Sequence, residues 1–133
     1  MKELLRIVQT SLLMLLVGCS APVGAEEKNM NNEPSKSVVI EVVTLRLLDG
    51  ISYADFAVID KAVQTDHVSQ QPGFISRESA PGEGREWLVI VHWASSEDAN
   101  ASMSTFMEAP AAKTFMSSID ADSMVMKRYS KSN

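Results

Sequence analysis

From Val38 onward the apolar positions switch between two spacings, and each switch marks an element. Val38–Leu48 (VVIEVVTLRLL) is β-branched and almost continuously apolar, interrupted by Glu41 and Arg46. Such a run predicts a strand buried on both faces, or one whose second face lies in an interface. Asp49-Gly50 ends it. Ser52 has the form of a helix N-cap, with Asp55 three residues on, which resembles a capping box. Phe56, Ile59, Val63 and His67 then recur at spacings of three and four, predicting a helix over Tyr53–Gln70 with one inward face. Asp60 falls on that same face, where a carboxylate or an imidazole without a partner is costly to bury.

Pro72-Gly73 stops this helix, because Pro disfavours helical backbone before it and Gly admits positive φ. The period then returns to two. Phe74–Ala80 and Arg85–Ala94 read as the arms of a hairpin around Pro81-Gly82-Glu83-Gly84. On the second arm Trp87, Val89, Val91 and Trp93 share one face, and Leu88, Ile90 and His92 the other. Ser95-Ser96-Glu97-Asp98 caps a second helix, whose apolar stripe is Ala99, Met103, Phe106 and Met107. Ala109-Pro110 breaks that helix and Pro110–Ile119 restarts it, Pro being tolerated at a first helical position. Met124–Tyr129 (MVMKRY) predicts a last short strand, with a frayed tail over residues 131–133.

The order is β-α-β-β-α-β, an α+β, ferredoxin-like arrangement of one antiparallel sheet with two helices on one face. Its strands are apolar on both sides, so the face away from the helices needs cover. Two such sheets closing on each other would provide it. The expectation is a homodimer, in the form of a dimeric α+β barrel, built from a domain over residues 38–130.

The front of the chain departs from this pattern. Lys2 and Arg6 precede an apolar run over Ile7–Val17, the layout of a secretory leader. That run is short of the about 20 residues a membrane span needs. Leu16-Val17-Gly18-Cys19 resembles the lipobox of bacterial lipoproteins, with the chain's one cysteine at the lipidated position. The resemblance implies cleavage after Gly18 and a lipid anchor on Cys19, stable with two or more acyl chains. Residues 19–37 are polar and poor in apolar side chains, as in a flexible tether. The expected location is the cell envelope, and Ser20 in place of Asp favours the outer membrane in the Gram-negative proteins this leader resembles.

Charge and cysteine content then exclude several functions. Twelve basic and 17 acidic residues give a net charge of −5. Removing Lys2, Glu3 and Arg6 with the leader leaves 10 and 16, a net −6. A mildly acidic chain with no basic cluster is a poor fit for nucleic acid. With Cys19 acylated, no thiol remains for a disulfide or a nucleophile. Two histidines without ligand spacing predict no metal site. The Gly-Glu-Gly of the hairpin is a turn, not a phosphate loop.

With the element order in hand, the pieces QQPGF (residues 70–74), VHW followed by SSEDA (91–99) and FMEAPAAKTF (106–115) resemble the antibiotic biosynthesis monooxygenase domain family. The resemblance covers Val38–Tyr129. It implies the dimeric α+β barrel and, where the domain is catalytic, a monooxygenase that uses no cofactor and acts on an aromatic substrate whose carbanion itself reacts with O₂. Haem-degrading members carry an Asn on the first strand, a Trp on the second helix and a later His. Here those places hold Glu41 or Thr44, Ser102 and no histidine after His92, so haem degradation is not implied. Trp93 matches a tryptophan common at the end of the family's third strand, where its role is packing.

Each candidate residue carries a functional and a structural reading. His92, beside Trp93, is a base or hydrogen-bond donor in an aromatic pocket, or a sheet histidine satisfied by a neighbour. Asp60 and His67, about 10 Å apart along the helix, hold one ligand from two sides, or one of them pairs with Arg77 or Arg46. Glu41 is an acid–base group or half of a salt bridge across the sheet. Phe56, Trp87, Trp93 and Met103 line a ligand pocket or fill the core. Met103, Met107, Met116, Met124 and Met126 are adaptable packing, or the wall of a pliable apolar pocket. The leading expectation is a small apolar or aromatic ligand held between the first helix and the sheet, with His92 or Asp60 as base if the domain is an oxygenase. The alternative is a non-enzymatic binding module at the envelope.

Overall fold

The computed structural model describes residues 37–132. The leader, Cys19 and all but the last residue of the tether lie outside the described residues. Four strands and three α-helices follow in the order β1 (Val39–Leu47), α1 (Tyr53–Asp66), β2 (Phe74–Pro81), β3 (Glu86–Trp93), α2 (Ser96–Thr105), α3 (Pro110–Ser117) and β4 (Ile119–Ser130). Short 3₁₀ turns at Val68–Gln70 and Phe106–Glu108 extend α1 and α2. The sheet is antiparallel throughout, with spatial order β2-β3-β1-β4. This is the ferredoxin-like α+β arrangement expected from the apolar spacing.

Local chemistry sets the element ends. Ser52 Oγ accepts from the Asp55 amide at 3.1 Å and Ser95 Oγ from the Asp98 amide at 3.1 Å. Each cap satisfies one of the orphan donors of a first turn. Gly73 (φ 77°) makes the turn into β2, and its carbonyl accepts from the Ala94 amide at 2.7 Å. Two boundaries differ from expectation. The first helix leaves α geometry at His67, and Ile119 opens β4 rather than closing α3. β4 is also longer than Met124–Tyr129. Its polar start pairs with the end of β1 through a register shift between Thr44 and Arg46, where the Arg46 amide donates to Ser123 Oγ at 2.8 Å. A side-chain acceptor inside the ladder lets polar residues continue a strand that hydrophobic spacing alone ends early.

The two faces of the sheet have different surroundings. Val39, Glu41, Val43, Leu45 and Leu47 of β1 are buried beneath the helices, with Trp87, Val89, Val91 and Trp93 of β3. At one end Phe56, fully buried, meets Trp87 edge-on at 5.2 Å and Phe115 at 5.0 Å, while Tyr53 stacks on Trp87 at 6.2 Å. Burying an aromatic ring contributes roughly 1.5–3 kcal/mol, and offset or edge-on pairs add about 0.5–1.5 kcal/mol each. The Nε1–H groups of Trp87 and Trp93 are buried and have no hydrogen-bond partner among the described residues, so both rings sit there for their bulk. Val42, Ile40, Leu88, Ile90 and His92 face the other way and are only half-buried.

Candidate functional site

On the helix side of the sheet lies a cavity of about 240 Å³. Its floor is Glu41 and Val43 of β1, Val89, Val91 and Trp93 of β3, with Met124 and Met126 of β4. Val63 and Val68 close it from α1 and the turn that follows. Ser102, Met103, Phe106, Met107, Phe115 and Met116 come from α2, α3 and the turn between them. Met103, Met107, Met124 and Met126 are 36 to 52% exposed and form the mouth. The lining is apolar except for Glu41, Arg77 and Ser102.

Each polar side chain at this wall is already engaged. Arg77, its side chain 3% exposed, donates to both oxygens of Asp60, at 2.9 Å to Oδ2 and 2.5 Å to Oδ1. Ser79 Oγ donates to Asp60 Oδ2 at 2.6 Å. The pair links α1 to the edge strand β2, and a bidentate fork of this kind fixes geometry as well as charge. Glu41 sits opposite Arg128 in the β1–β4 register and accepts from its Nε at 2.7 Å. Arg128 goes on to donate to Asn100 Oδ1 at 2.5 Å and to the Ala99 carbonyl at 3.4 Å, which ties α2 to β4. Behind the wall, His67 Nε2–H donates to the Ser102 carbonyl at 3.1 Å, while Gln71 Nε2 lies 3.4 Å from Nδ1. A carbonyl can only accept, so the proton is on Nε2. The His67 ring stands edge-on to Phe106 at 5.6 Å.

The residues singled out by sequence divide accordingly. Glu41, Trp93 and Met103 line the cavity. Phe56 and Trp87 do not: they belong to the solid aromatic end, where each ring has another ring against it. Asp60 and His67 stand behind the wall, the one holding Arg77 and the other Ser102. His92 is on the opposite face of the sheet from Trp93, because neighbours in a strand point to opposite sides. There its Nδ1 is 3.1 Å from Ser76 Oγ. His92 and Asp60 therefore share no pocket, and the sequence-level pairing of the two as alternative bases in one site is corrected. The pocket lies under α2 and α3 more than under α1. What the sequence reading missed is Arg77 as a wall residue. Its signal was available: an arginine two residues from Ser79 on the strand that faces Asp60.

No protein-family profile matches the sequence, and no curated protein matches it either. Solved structures do. SnoaB, a cofactor-independent oxygenase from Streptomyces nogalater, superposes with a TM-score of 0.60 at 13% identity, over 73% of this chain and 95% of its own. This chain has the fold of that oxygenase. A candidate antibiotic biosynthesis monooxygenase from Caulobacter crescentus gives 0.61 at 15% identity, over 74% and 93% of the two chains. Another from Bordetella bronchiseptica gives 0.59 at 12% identity, over 74% and 100%. At such identities the likeness carries the architecture and leaves the reaction to be argued from the site.

Proposed function

We propose that this domain binds a small, neutral, largely aromatic molecule in the cavity between the sheet and α2–α3. The observation that carries the reading is the hollow itself: about 240 Å³ left open in a layer whose other end is filled by interlocked rings. Pockets for small ligands are mostly apolar with a few convergent polar groups, and this wall has that composition. A neutral ligand fits because the buried charges at the wall are neutralised in pairs, Arg77 by Asp60 and Glu41 by Arg128. Met side chains favour an aromatic occupant through sulfur–ring contacts of about 0.3–1.5 kcal/mol each.

The likeness to SnoaB favours a second reading, in which the bound aromatic is oxygenated. Among the described residues the only carboxylate on the wall is Glu41, held by Arg128, so a proton acceptor for substrate would have to be released from that pair. Binding without chemistry needs no such step and is the reading preferred here. The sheet face away from the helices, with the apolar Val42 and Ile90 and the ring of Tyr129 on it, supports a homodimer, and the leader with Cys19 supports attachment to an envelope membrane.

Saturable binding of N-phenyl-1-naphthylamine, one molecule per chain by fluorescence titration, is the expected result. A protein that shows no saturable binding of this neutral probe refutes the ligand reading. Oxygen uptake with a panel of phenols and quinols separates the second reading from the first. Val42→Lys with Ile90→Lys should convert a dimer to a monomer in native mass spectrometry, and a parent that is already monomeric ends the dimer proposal. Val43 and Val89, buried on the helix side, test the core instead.

A further inference from the structure

Every methionine from residue 37 onward, Met103, Met107, Met116, Met124 and Met126, lines this one cavity. Four of them form its mouth, at 42, 52, 37 and 36% exposure for Met103, Met107, Met124 and Met126. They come from two walls. Met103 and Met107 are four residues apart on α2 and the 3₁₀ turn that continues it, so they lie on one side of that segment. Met124 and Met126 alternate on β4 and share its helix-side face, Met126 standing opposite the floor residue Val43. Leucine would make an equally apolar wall. Methionine adds a polarizable sulfur on a chain with three rotatable bonds.

We propose that the mouth of the cavity is a binding site for a soft monovalent cation, Cu(I), held by the thioether sulfurs of Met103, Met107, Met124 and Met126. The donor set selects the metal: thioethers are soft, uncharged ligands that suit Cu(I) and not hard oxygen-seeking ions. Other metals have little to bind. Among the described residues no three His, Cys, Asp or Glu side chains gather, and the one carboxylate on the wall, Glu41, is taken by Arg128. Counting histidines and thiols in the sequence passes over a site of this kind, because its ligands are residues normally read as packing. The partial exposure of all four side chains gives a chelated ion a route in, and their flexibility lets the sulfurs converge from both walls. Phe106, on the same wall, adds a ring to which a cation is attracted. Thioethers need no deprotonation, so binding persists at acid pH, where thiolate and imidazole sites release metal. The site goes beyond the aromatic-ligand reading and does not depend on it.

The test uses the full chain carrying Cys19→Ser, which removes its single thiol as a competitor. Under anaerobic, reducing conditions the protein is titrated against the coloured Cu(I)–bicinchoninate complex, and about one equivalent of Cu(I) per chain should pass to it. Replacing Met103, Met107, Met124 and Met126 together by Leu should abolish that transfer. Leu conserves volume, so near-ultraviolet circular dichroism should be unchanged. The pairs M103L/M107L and M124L/M126L keep the proposal falsifiable if the fourfold variant misfolds: each removes half the donors and should weaken Cu(I) about tenfold or more. No uptake by the parent overturns the proposal, and so does undiminished uptake by both pair variants. Failure of the neutral aromatic probe to bind, with Cu(I) uptake and its methionine dependence intact, refutes the ligand reading alone.

Discussion

The space between helices and sheet is solid at one end and hollow at the other, although one strand, β1, floors both. At the solid end Leu45 and Leu47 share the core with Phe56, Trp87 and Phe115. The ring centroids of Phe115 and Trp87 lie 5.0 and 5.2 Å from that of Phe56, and Phe115 also borders the cavity. At the hollow end Glu41 and Val43 lie under methionines that are up to half exposed. The difference is one of side-chain type. Rings have few rotamers and lock into close packing, whereas methionine bends around space without filling it. Stability is thus concentrated where packing is complete, and the capacity to bind is concentrated where it is not.

The largest expected effect comes from opening the solid end. Phe56→Ala should cost about 4 kcal/mol, because a fully buried ring is lost and the rings around it relax only partly. Urea denaturation followed by tryptophan fluorescence measures it. A loss under about 1.5 kcal/mol, the range of an ordinary volume-conserving swap, would show that this end is no better packed than the other.

The boundary between the two ends is charged. Asp60→Ala removes the partner of Arg77 and leaves its guanidinium buried, which should cost about 3 kcal/mol. Replacing both, as Asp60→Leu with Arg77→Met, should recover most of that loss, since an apolar pair of similar volume needs no desolvation. If the double variant is no more stable than the single one, the penalty is not an orphaned charge, and the pair has a role that its geometry does not explain.

At the hollow end a backbone turn adds to the side-chain contacts that hold the start of α2, since the Gly73 carbonyl accepts from the Ala94 amide at 2.7 Å. Gly73 has a φ of 77°, and a Cβ there would overlap the Asp98 side chain that completes the α2 cap. Gly73→Ala should cost about 2 kcal/mol by combining left-handed strain with displacement of the cap. The comparison sharpens if this variant also loses probe binding while Ser52→Ala, a cap change of about 1 kcal/mol on α1, does not.

These contrasts mark what the amino-acid pattern could disclose. Alternation and helical spacing are properties of single elements, so β1, the hairpin, both caps and the break at Pro110 were legible in the order of residues. The faces of β3 were legible too, including the separation of His92 from Trp93, although the candidate roles set that separation aside. Which inward residues border a void was not legible. Phe56 and Val63 are seven residues apart on one helix face, yet one is packed against rings and the other lines the cavity. That outcome depends on how far α2 and α3 stand off the sheet, and no local spacing encodes it. The ion pairs were half legible: Arg77 was a named partner for Asp60, while Arg128 could be matched to Glu41 only once the β1–β4 register was known.

The smallest effect on stability should separate the two ends most cleanly. Val89 is buried at 4% exposure and borders the hollow. Val89→Phe adds a ring's worth of atoms, which in a filled core costs about 1–3 kcal/mol through overpacking. Here the ring has a void to enter, so the change in stability should stay within about 0.5 kcal/mol. The same ring occupies the space an aromatic ligand would take, and binding of N-phenyl-1-naphthylamine should be lost. Introduced at Leu45, on the same face of the sheet but at the solid end, Phe should destabilise and leave probe binding in place. A Val89→Phe protein that is destabilised as much as Leu45→Phe would mean that the hollow closes in solution, and the ligand reading would lose the observation that carries it.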